Sequence, residues 1–153
     1  MSPKEAYEEY KKLVYRLALA RTGDVNDAED ILQEVFYRYI RKKPDFANGE
    51  HGKAWFIKVT INCTKSFFNS AYRKHRASLE EELKSEDMEI DTTLSVVLSL
   101  PQKYRTVIHL YYYEDYSIKE IASLLQCSEN TVKTRLARGR ERLKKALGSE
   151  VDV

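Results

Sequence analysis

Apolar residues recur every three or four positions through the first half of the chain, which is the pattern of amphipathic helices. They predict a helix over residues 7–20 that Gly23 stops, and a second over 27–41 that Asp24 or Asn26 caps. The second helix is expected to bury one stripe of apolar side chains: Ile31, Leu32, Val35, Phe36, Tyr39 and Ile40.

Residues 46–53 contain Asn48, Gly49 and Gly52, and this composition predicts a loop. A long third helix is expected to follow over residues 54–74, because apolar positions resume there at helical spacing. Three helices of this length predict a small first domain.

The C-terminal half predicts a second helical group. Pro101 suits the first turn of a helix, since its missing N–H would have no helical partner there. Ser117 and Glu120 have the spacing of a capping box, which predicts the start of the next helix. After a break at 126–128, a last helix is expected over 128–147, with Ser128 as its cap.

No segment predicts a strand, so the expected fold class is all-α. The predicted organisation is two small helical domains, residues 1–76 and 92–148, with a tail over 149–153. Residues 77–91 are acidic and lack aromatic side chains, which predicts a flexible linker.

Charge is strongly segregated although the net charge of the 153 residues is only +2. Residues 24–34 hold five acids and no base, and residues 52–76 hold six bases and no acid. Residues 79–91 hold seven acids and one base, whereas 133–145 hold seven bases and one acid. A solvated face is the simplest explanation of any one block, but two basic blocks on helices favour two cationic binding surfaces.

The composition predicts no metal, cofactor or catalytic residue. Cys63 and Cys127 are expected to be buried or half-buried thiols, because the three histidines do not complete a metal-binding spacing. The polar N-terminus and the absence of an apolar run of about 18 residues predict a cytoplasmic protein without membrane insertion.

The helix, tight turn and helix over 117–142 is the strongest functional signal, because it is the pattern of a helix-turn-helix. Four apolar residues are placed to pin its helices together: Ile121, Leu125, Val132 and Leu136. The early exposed positions of the second helix would then face DNA: Glu129, Asn130, Thr131, Lys133 and Thr134. The alternative is a surface helical hairpin whose bases are merely solvated.

Several segments resemble sigma factors of the extracytoplasmic-function (ECF) type in the sigma-70 family. Residues 100–105 (LPQKYR), 116–122 (YSIKEIA) and 130–140 (NTVKTRLARGR) look like region 4, which reads the −35 promoter element as duplex. Residues 27–36 (DAEDILQEVF) are similar to the region 2 segment that binds the polymerase clamp helices. Residues 54–62 (AWFIKVTIN) match the family's helix over the −10 element.

The resemblance implies three sets of site residues. The set expected to bind the polymerase core is Asp27, Asp30, Gln33 and Glu34. The set expected to bind −10 DNA, including a base flipped out of the helix, is Phe46, Asn48, Lys58, Asn62, Lys65 and Arg73. The set expected to bind −35 DNA is Ser128, Thr131, Lys133, Thr134, Arg135 and Arg138.

Alternatives stay open for some of these residues. The helix dipole alone would explain the acid at Asp27. Phe46 could equally belong to the hydrophobic core, and Trp55 fits the core better than a strand-separating wedge. Arg135 could serve helix packing or the backbone.

The partners that the resemblance implies are RNA polymerase core, through its clamp helices and flap, and promoter DNA. An anti-sigma factor that holds the two domains inactive is a further expectation. A free-standing helix-turn-helix regulator would leave the acidic face of residues 27–36 unused. An enzyme acting on nucleic acid would need a carboxylate pair with histidine, a phosphate-binding glycine loop or an activated nucleophile, and the sequence offers none of these patterns.

Overall fold

The computed structural model describes residues 1–68 and 96–148, and every regular element within them is helical. The chain folds as two compact units, Met1–Asp87 and Met88–Val153. The prediction of an all-α fold with two helical domains is confirmed. Arg73, the linker predicted over 77–91 and the tail predicted over 149–153 lie outside the described residues.

The first two helices begin and end at residues that local chemistry favours. α1 (Pro3–Thr22) ends at Gly23, whose φ of 70° is the left-handed conformation that glycine adopts without a side-chain clash. α2 (Val25–Lys42) begins after Asp24, whose Oδ1 accepts a hydrogen bond from the Asp27 N–H at 2.9 Å. Gly23 as the stop and Asp24 as the cap are therefore confirmed.

The third helix begins earlier than the sequence predicts. α3 (Gly49–Phe68) includes residues 49–53, so the prediction of a loop is wrong for that segment. The physical reason is a cap at Asn48. Its Oδ1 accepts from the His51 N–H at 2.9 Å, and its carbonyl accepts from the Gly52 N–H at 3.1 Å.

An aromatic cluster holds the three helices of the first unit together. Phe56 is fully buried at its centre, with ring centroids 4.4 Å from Tyr10, 5.2 Å from Phe36 and 5.5 Å from Tyr39. The buried stripe predicted on α2 is confirmed for Ile31, Val35, Phe36 and Tyr39. It is wrong for Ile40, which is 52% exposed because the last turn of α2 extends past the core to the mouth of a cavity.

Gly52 lies where α1 and α3 approach too closely for a side chain to enter. A Cβ built there would lie 2.5 Å from the Tyr10 hydroxyl and 3.1 Å from Phe46 Cδ2. We expect Gly52→Ala to lower the free energy of unfolding by about 1–2 kcal/mol, since overpacking outweighs alanine's better helix propensity. Urea unfolding followed by the fluorescence of Trp55, the only tryptophan, measures this in the first unit.

Gly49→Ala, one turn away in α3, is the matched control. A Cβ there would meet nothing within 4 Å, so the same substitution should leave stability equal or raise it by up to about 1 kcal/mol. Equal effects at the two glycines would contradict the close approach of Gly52 to Tyr10.

The second unit contains four consecutive helical segments over residues 102–147. α4 (Gln102–Ile108) runs directly into a π-helix (His109–Tyr113), which is followed by α5 (Ile118–Leu125) and α6 (Glu129–Leu147). Pro101 lies immediately before α4 rather than inside its first turn. The core residues of this unit share near-complete burial: Tyr104, Val107, Ile108, Leu110, Ile121, Val132, Leu136 and Leu143.

The two cysteines are free thiols. Cys63 is buried and Cys127 is half-buried, which confirms the prediction. Burial raises the pKa of the Cys63 thiol to about 11, so it stays protonated near neutral pH. Over residues 1–68 and 96–148, no helix has the length and apolar character to cross a membrane. The same residues contain no group of three or more metal-ligating side chains.

Candidate nucleic-acid and polymerase interfaces

The helix-turn-helix of the second unit is fixed by side-chain caps at both of its helices. A complete capping box starts α5: the Ser117 hydroxyl accepts from the Glu120 N–H at 3.1 Å, and the Glu120 carboxylate accepts from the Ser117 N–H at 3.0 Å. The Ser128 hydroxyl accepts from the Thr131 N–H at 3.0 Å and caps α6. Both caps agree with the prediction.

The turn between α5 and α6 places Gln126 in a left-handed conformation, with φ of 57°. Its N–H donates to the Ser123 carbonyl, and the Cys127 N–H donates to the Ala122 carbonyl at 3.0 Å. Carbonyl groups at the C-terminal end of α5 therefore accept hydrogen bonds from backbone N–H groups of the turn. The cost of a non-glycine residue at such an angle is roughly 1–2 kcal/mol.

Three of the four predicted pinning residues are buried: Ile121, Val132 and Leu136. Leu125 is only half-buried, so it contributes less to this contact than predicted. With Val132 and Leu136 facing inward, the opposite face of α6 presents Lys133, Thr134 and Arg138 to solvent.

A shallow depression on α6 collects most of the residues predicted to face −35 DNA. It has a volume of about 310 Å³ and is lined by Lys103, Tyr104, Asn130, Thr131, Thr134, Arg135 and Arg138. Ser128 and Lys133 do not line it, although both are exposed. Lys103 is the cation that sequence reasoning missed, because only tertiary packing brings α4 beside α6.

Two bases near the end of α6 contact aromatic rings of the same unit. Arg140 Nε donates to the Tyr112 hydroxyl at 2.6 Å, and its guanidinium lies 5.8 Å from the Tyr111 and Tyr112 ring centroids. Arg142 lies 5.1 Å from the Tyr104 ring centroid. A cation–π contact stabilises a protein by about 0.5–1 kcal/mol where water can still reach it. These two arginines are therefore less available to phosphate than the sequence suggests.

In the first unit, three residues predicted to face −10 DNA lie on one exposed stripe of α3. Lys58, Asn62 and Lys65 are all exposed and follow one another at helical spacing. Trp55 precedes them by one turn, is half-buried, and lies 5.9 Å from the Phe46 ring centroid. The stripe therefore has an aromatic side chain, Trp55, at its N-terminal end and two exposed lysines further along the helix.

A cavity of about 570 Å³ opens beside the loop between α2 and α3. Phe46 and Asn48 both line it, and so do aromatic, charged and apolar neighbours that include Tyr39, Ile40 and Lys43. Asn62 is not among its lining residues, so the structure does not place the two predicted asparagines in one pocket. Phe46 itself is half-buried, which fits both interpretations of this residue.

The acidic face of α2 contains three of the four residues predicted to bind the polymerase. Gln33 and Glu34 are exposed, and Asp30 is half-buried. Glu34 Oε1 accepts from Arg38 Nε at 3.0 Å, one turn along the same helix. The prediction for Asp27 needs correction. Its side chain is only 5% exposed because the first turn of α2 faces inward there, so it cannot present its carboxylate to a partner surface.

Comparison with known proteins assigns both units. The family described as Sigma-70 region 2 matches residues 6–76, and Sigma-70, region 4 matches residues 91–143. The ECF RNA polymerase sigma factor SigW of Bacillus subtilis is 32% identical over 90% of this chain and 84% of its own length. SigM of the same organism, also described as an ECF sigma factor, is 32% identical over 94% of both chains.

Solved structures share the fold. The sigma factor RpoE from Bartonella quintana, in complex with the anti-sigma factor NepR, superposes with a TM-score of 0.71 at 21% identity, covering 97% of this chain and 98% of that one. CnrH, in complex with the cytosolic domain of CnrY, gives a TM-score of 0.63 at 20% identity over 97% and 89% of the two chains.

The two helical units and their matched regions define a sigma-70 family transcription initiation factor. The chain belongs to the ECF RNA polymerase sigma factors and directs transcription. Sigma factors bind RNA polymerase core and promoter DNA, and the relatives belong to a family of non-enzymatic initiation factors.

Proposed function

We propose that the chain binds RNA polymerase core through α2, reads a melted −10 element through α3 and the preceding loop, and reads a duplex −35 element through α6. The observation that carries this division is the separation of charge. The exposed middle of α2 offers carboxylate and amide groups, whereas the exposed faces of α3 and α6 offer lysine and arginine. Opposite charge on distinct helices supports distinct partners.

The polymerase contact is assigned to Asp30, Gln33 and Glu34. Gln33 and Glu34 are exposed and Asp30 is half-buried, outside the buried stripe of Ile31 and Val35, so a partner can reach them without disturbing the core. A basic clamp surface would complement it, and the exposed Glu34–Arg38 pair is weak enough to rearrange on docking.

The −10 contact is assigned to the loop cavity together with the exposed stripe of α3. Flipping a base out of the duplex costs a few kcal/mol, which stacking and hydrogen bonds in a pocket must return. The cavity supports this role because an aromatic side chain, Phe46, and an amide side chain, Asn48, both line it. Its volume lies in the range of small-ligand pockets.

The cations of α3 would hold the separated strand. Lys58 and Lys65 are exposed on either side of Asn62, so the stripe can follow a phosphate backbone while the asparagine amide meets a base edge. Arg73 belongs to this proposed set from the family pattern.

The −35 contact is assigned to α6. Thr131, Thr134, Arg135 and Arg138 line one depression, which supports their action as a group. Lys133 and Ser128 are exposed but do not line it. The N-terminal end of α6 favours phosphate because its first N–H groups point outward. Since the Ser128 hydroxyl already caps the helix, its contribution to phosphate would come mainly through the backbone.

We further propose the domain boundaries 1–76 and 92–148 and an anti-sigma partner. The anti-sigma proposal rests on the Bartonella quintana structure of similar fold, in which the sigma factor RpoE is in complex with the anti-sigma factor NepR. Its action on polymerase and chromosomal DNA would place the protein in the bacterial cytoplasm.

The test is reconstitution with core polymerase. The protein should co-elute with core enzyme in size-exclusion chromatography, and the complex should start transcription at a defined subset of a promoter library. A free-standing regulator would bind duplex without polymerase and block initiation, and a nuclease-type enzyme would alter the DNA. Either of these outcomes would contradict the proposal.

A further inference from the structure

His51 occupies a structural position that the three proposed contact sets leave unexplained. It lies in the first turn of α3, three residues after Asn48, and its side chain is exposed. Its backbone N–H donates to Asn48 Oδ1 at 2.9 Å, and its ring Nδ1 accepts from the Ala47 N–H at 3.0 Å.

These two hydrogen bonds run in opposite directions across the start of the helix. In a capping box, the cap side chain accepts from the third helical N–H while a Glu or Gln at that third position reaches back to the backbone. Asn48 and His51 form the same reciprocal arrangement, with imidazole in place of the carboxylate or amide and Ala47 as the backbone donor. Nδ1 can accept this hydrogen bond only while it carries no proton itself.

The imidazole also contacts Phe46, which lines the cavity. The ring centroids of His51 and Phe46 are 5.5 Å apart at an interplanar angle of 74°, an edge-to-face arrangement. Residues 46–48 are therefore held at two points by one side chain: Phe46 through its ring and Ala47 through its N–H. Phe46 and Asn48 both line the 570 Å³ cavity.

We propose that His51 is a positioning residue for the −10 contact, whose Nδ1 acceptor fixes residues 46–48 in the shape that receives the flipped base. This inference rests on the proposed function. In this proposal His51 does not touch DNA, and its effect comes from holding the loop in place. The hydrogen bond holds the loop before DNA arrives, so the cost of ordering it is not taken from the binding free energy.

Three substitutions distinguish the effect of the hydrogen bond to Nδ1 from the effect of the ring contact with Phe46. His51→Ala removes both, His51→Phe keeps a ring without the acceptor, and His51→Gln restores a neutral acceptor of the kind that capping boxes use. Loss of one such hydrogen bond corresponds to a change of about three- to tenfold. Glu50→Gln, at the neighbouring exposed position of the same turn, is the control.

The first measurement is hydrogen–deuterium exchange at the Ala47 amide of the full chain. Exchange should become about three- to tenfold faster in His51→Ala and His51→Phe, and should return to within about twofold of the unsubstituted rate in His51→Gln. Unchanged exchange in His51→Ala, or restoration by Phe and not by Gln, would overturn the role of the acceptor.

The second measurement is the rate of open-complex formation by polymerase carrying each variant, on a promoter selected from the library by the unsubstituted protein. The rate should follow the same order, with Ala and Phe slowed about three- to tenfold and Gln and the Glu50→Gln control near normal. If the unsubstituted protein selects no promoter, the proposed function fails. If it does select one and His51→Ala is equally fast, only the positioning role of His51 fails.

Discussion

The double substitution Gln33→Lys and Glu34→Lys is expected to weaken binding to RNA polymerase core by about 100-fold or more. Both side chains are exposed on the proposed polymerase face of α2, and like charges brought together at an interface cost several kcal/mol. A lysine at position 34 also loses the hydrogen bond from Arg38 and repels it within the helix, at a cost of only a few tenths of a kcal/mol. Fluorescence anisotropy with labelled core enzyme, supported by a thermal melt to show folding, measures the effect.

The matched control lies on α1. Glu5→Gln with Glu8→Lys produces the same change in net charge, and Glu8 is paired with Lys11 much as Glu34 is with Arg38. This control should bind core polymerase within about threefold of the unsubstituted protein, because it lies outside the proposed face. Equal losses in both variants would show that the overall charge, rather than this face of α2, governs the interaction.

The double substitution Lys133→Ala and Arg138→Ala is expected to lower affinity for −35 duplex by about 100-fold. Loss of a base contact costs about 1–3 kcal/mol, and loss of a phosphate contact reduces the slope of log K against log salt by about 0.9. Titration of the selected promoter duplex at several salt concentrations distinguishes a lost phosphate contact, which lowers the salt slope, from a lost base contact, which does not. Polymerase binding through the first unit should stay unchanged.

Lys144→Ala with Lys145→Ala removes the same charge from the far end of α6. Lys145 is highly exposed and pairs with Glu141 at 3.8 Å, and neither lysine lines the depression on α6. We expect at most about a threefold loss of duplex affinity, with little change in sequence preference. If these distal lysines mattered as much as Lys133 and Arg138, the −35 surface would be misassigned along the helix.

Helix ends were the most predictable features, because their chemistry is local. Gly23, Asp24, the Ser117–Glu120 capping box and Ser128 each act within a few residues of the backbone groups that they satisfy. Such short-range pairing can be inferred from spacing alone.

The start of α3 could not be predicted in the same way. Gly49 and Gly52 favour a loop by composition, but Gly52 is required inside the helix by its close approach to Tyr10, a tertiary contact. The cap from His51 was also missed, because histidine is not part of the usual capping-box pattern. The spacing did offer a signal, because Asn48, a residue type favoured as a helix cap, lies three residues before His51.

The candidate contact surfaces were predictable as charge blocks but not residue by residue. Asp27 and Glu34 both belong to the acidic block, yet Asp27 is buried and Glu34 is exposed. Which acid reaches solvent depends on how α2 is rotated against the neighbouring helices, and the spacing of charges does not reveal that rotation. Lys103 joins the depression on α6 only because α4 packs beside it. Ile40 continued the apolar stripe in sequence, although the core ends before it.

Transcription from a promoter library by core polymerase, with and without this protein, tests the proposed division of roles most directly. We predict that the protein confers start sites sharing a −10 and a −35 element. We also predict that the α2 charge-reversal variant loses all of these starts, whereas the α6 variant loses preference for the −35 element. Equal start-site usage with and without the correctly folded protein would contradict the proposed function.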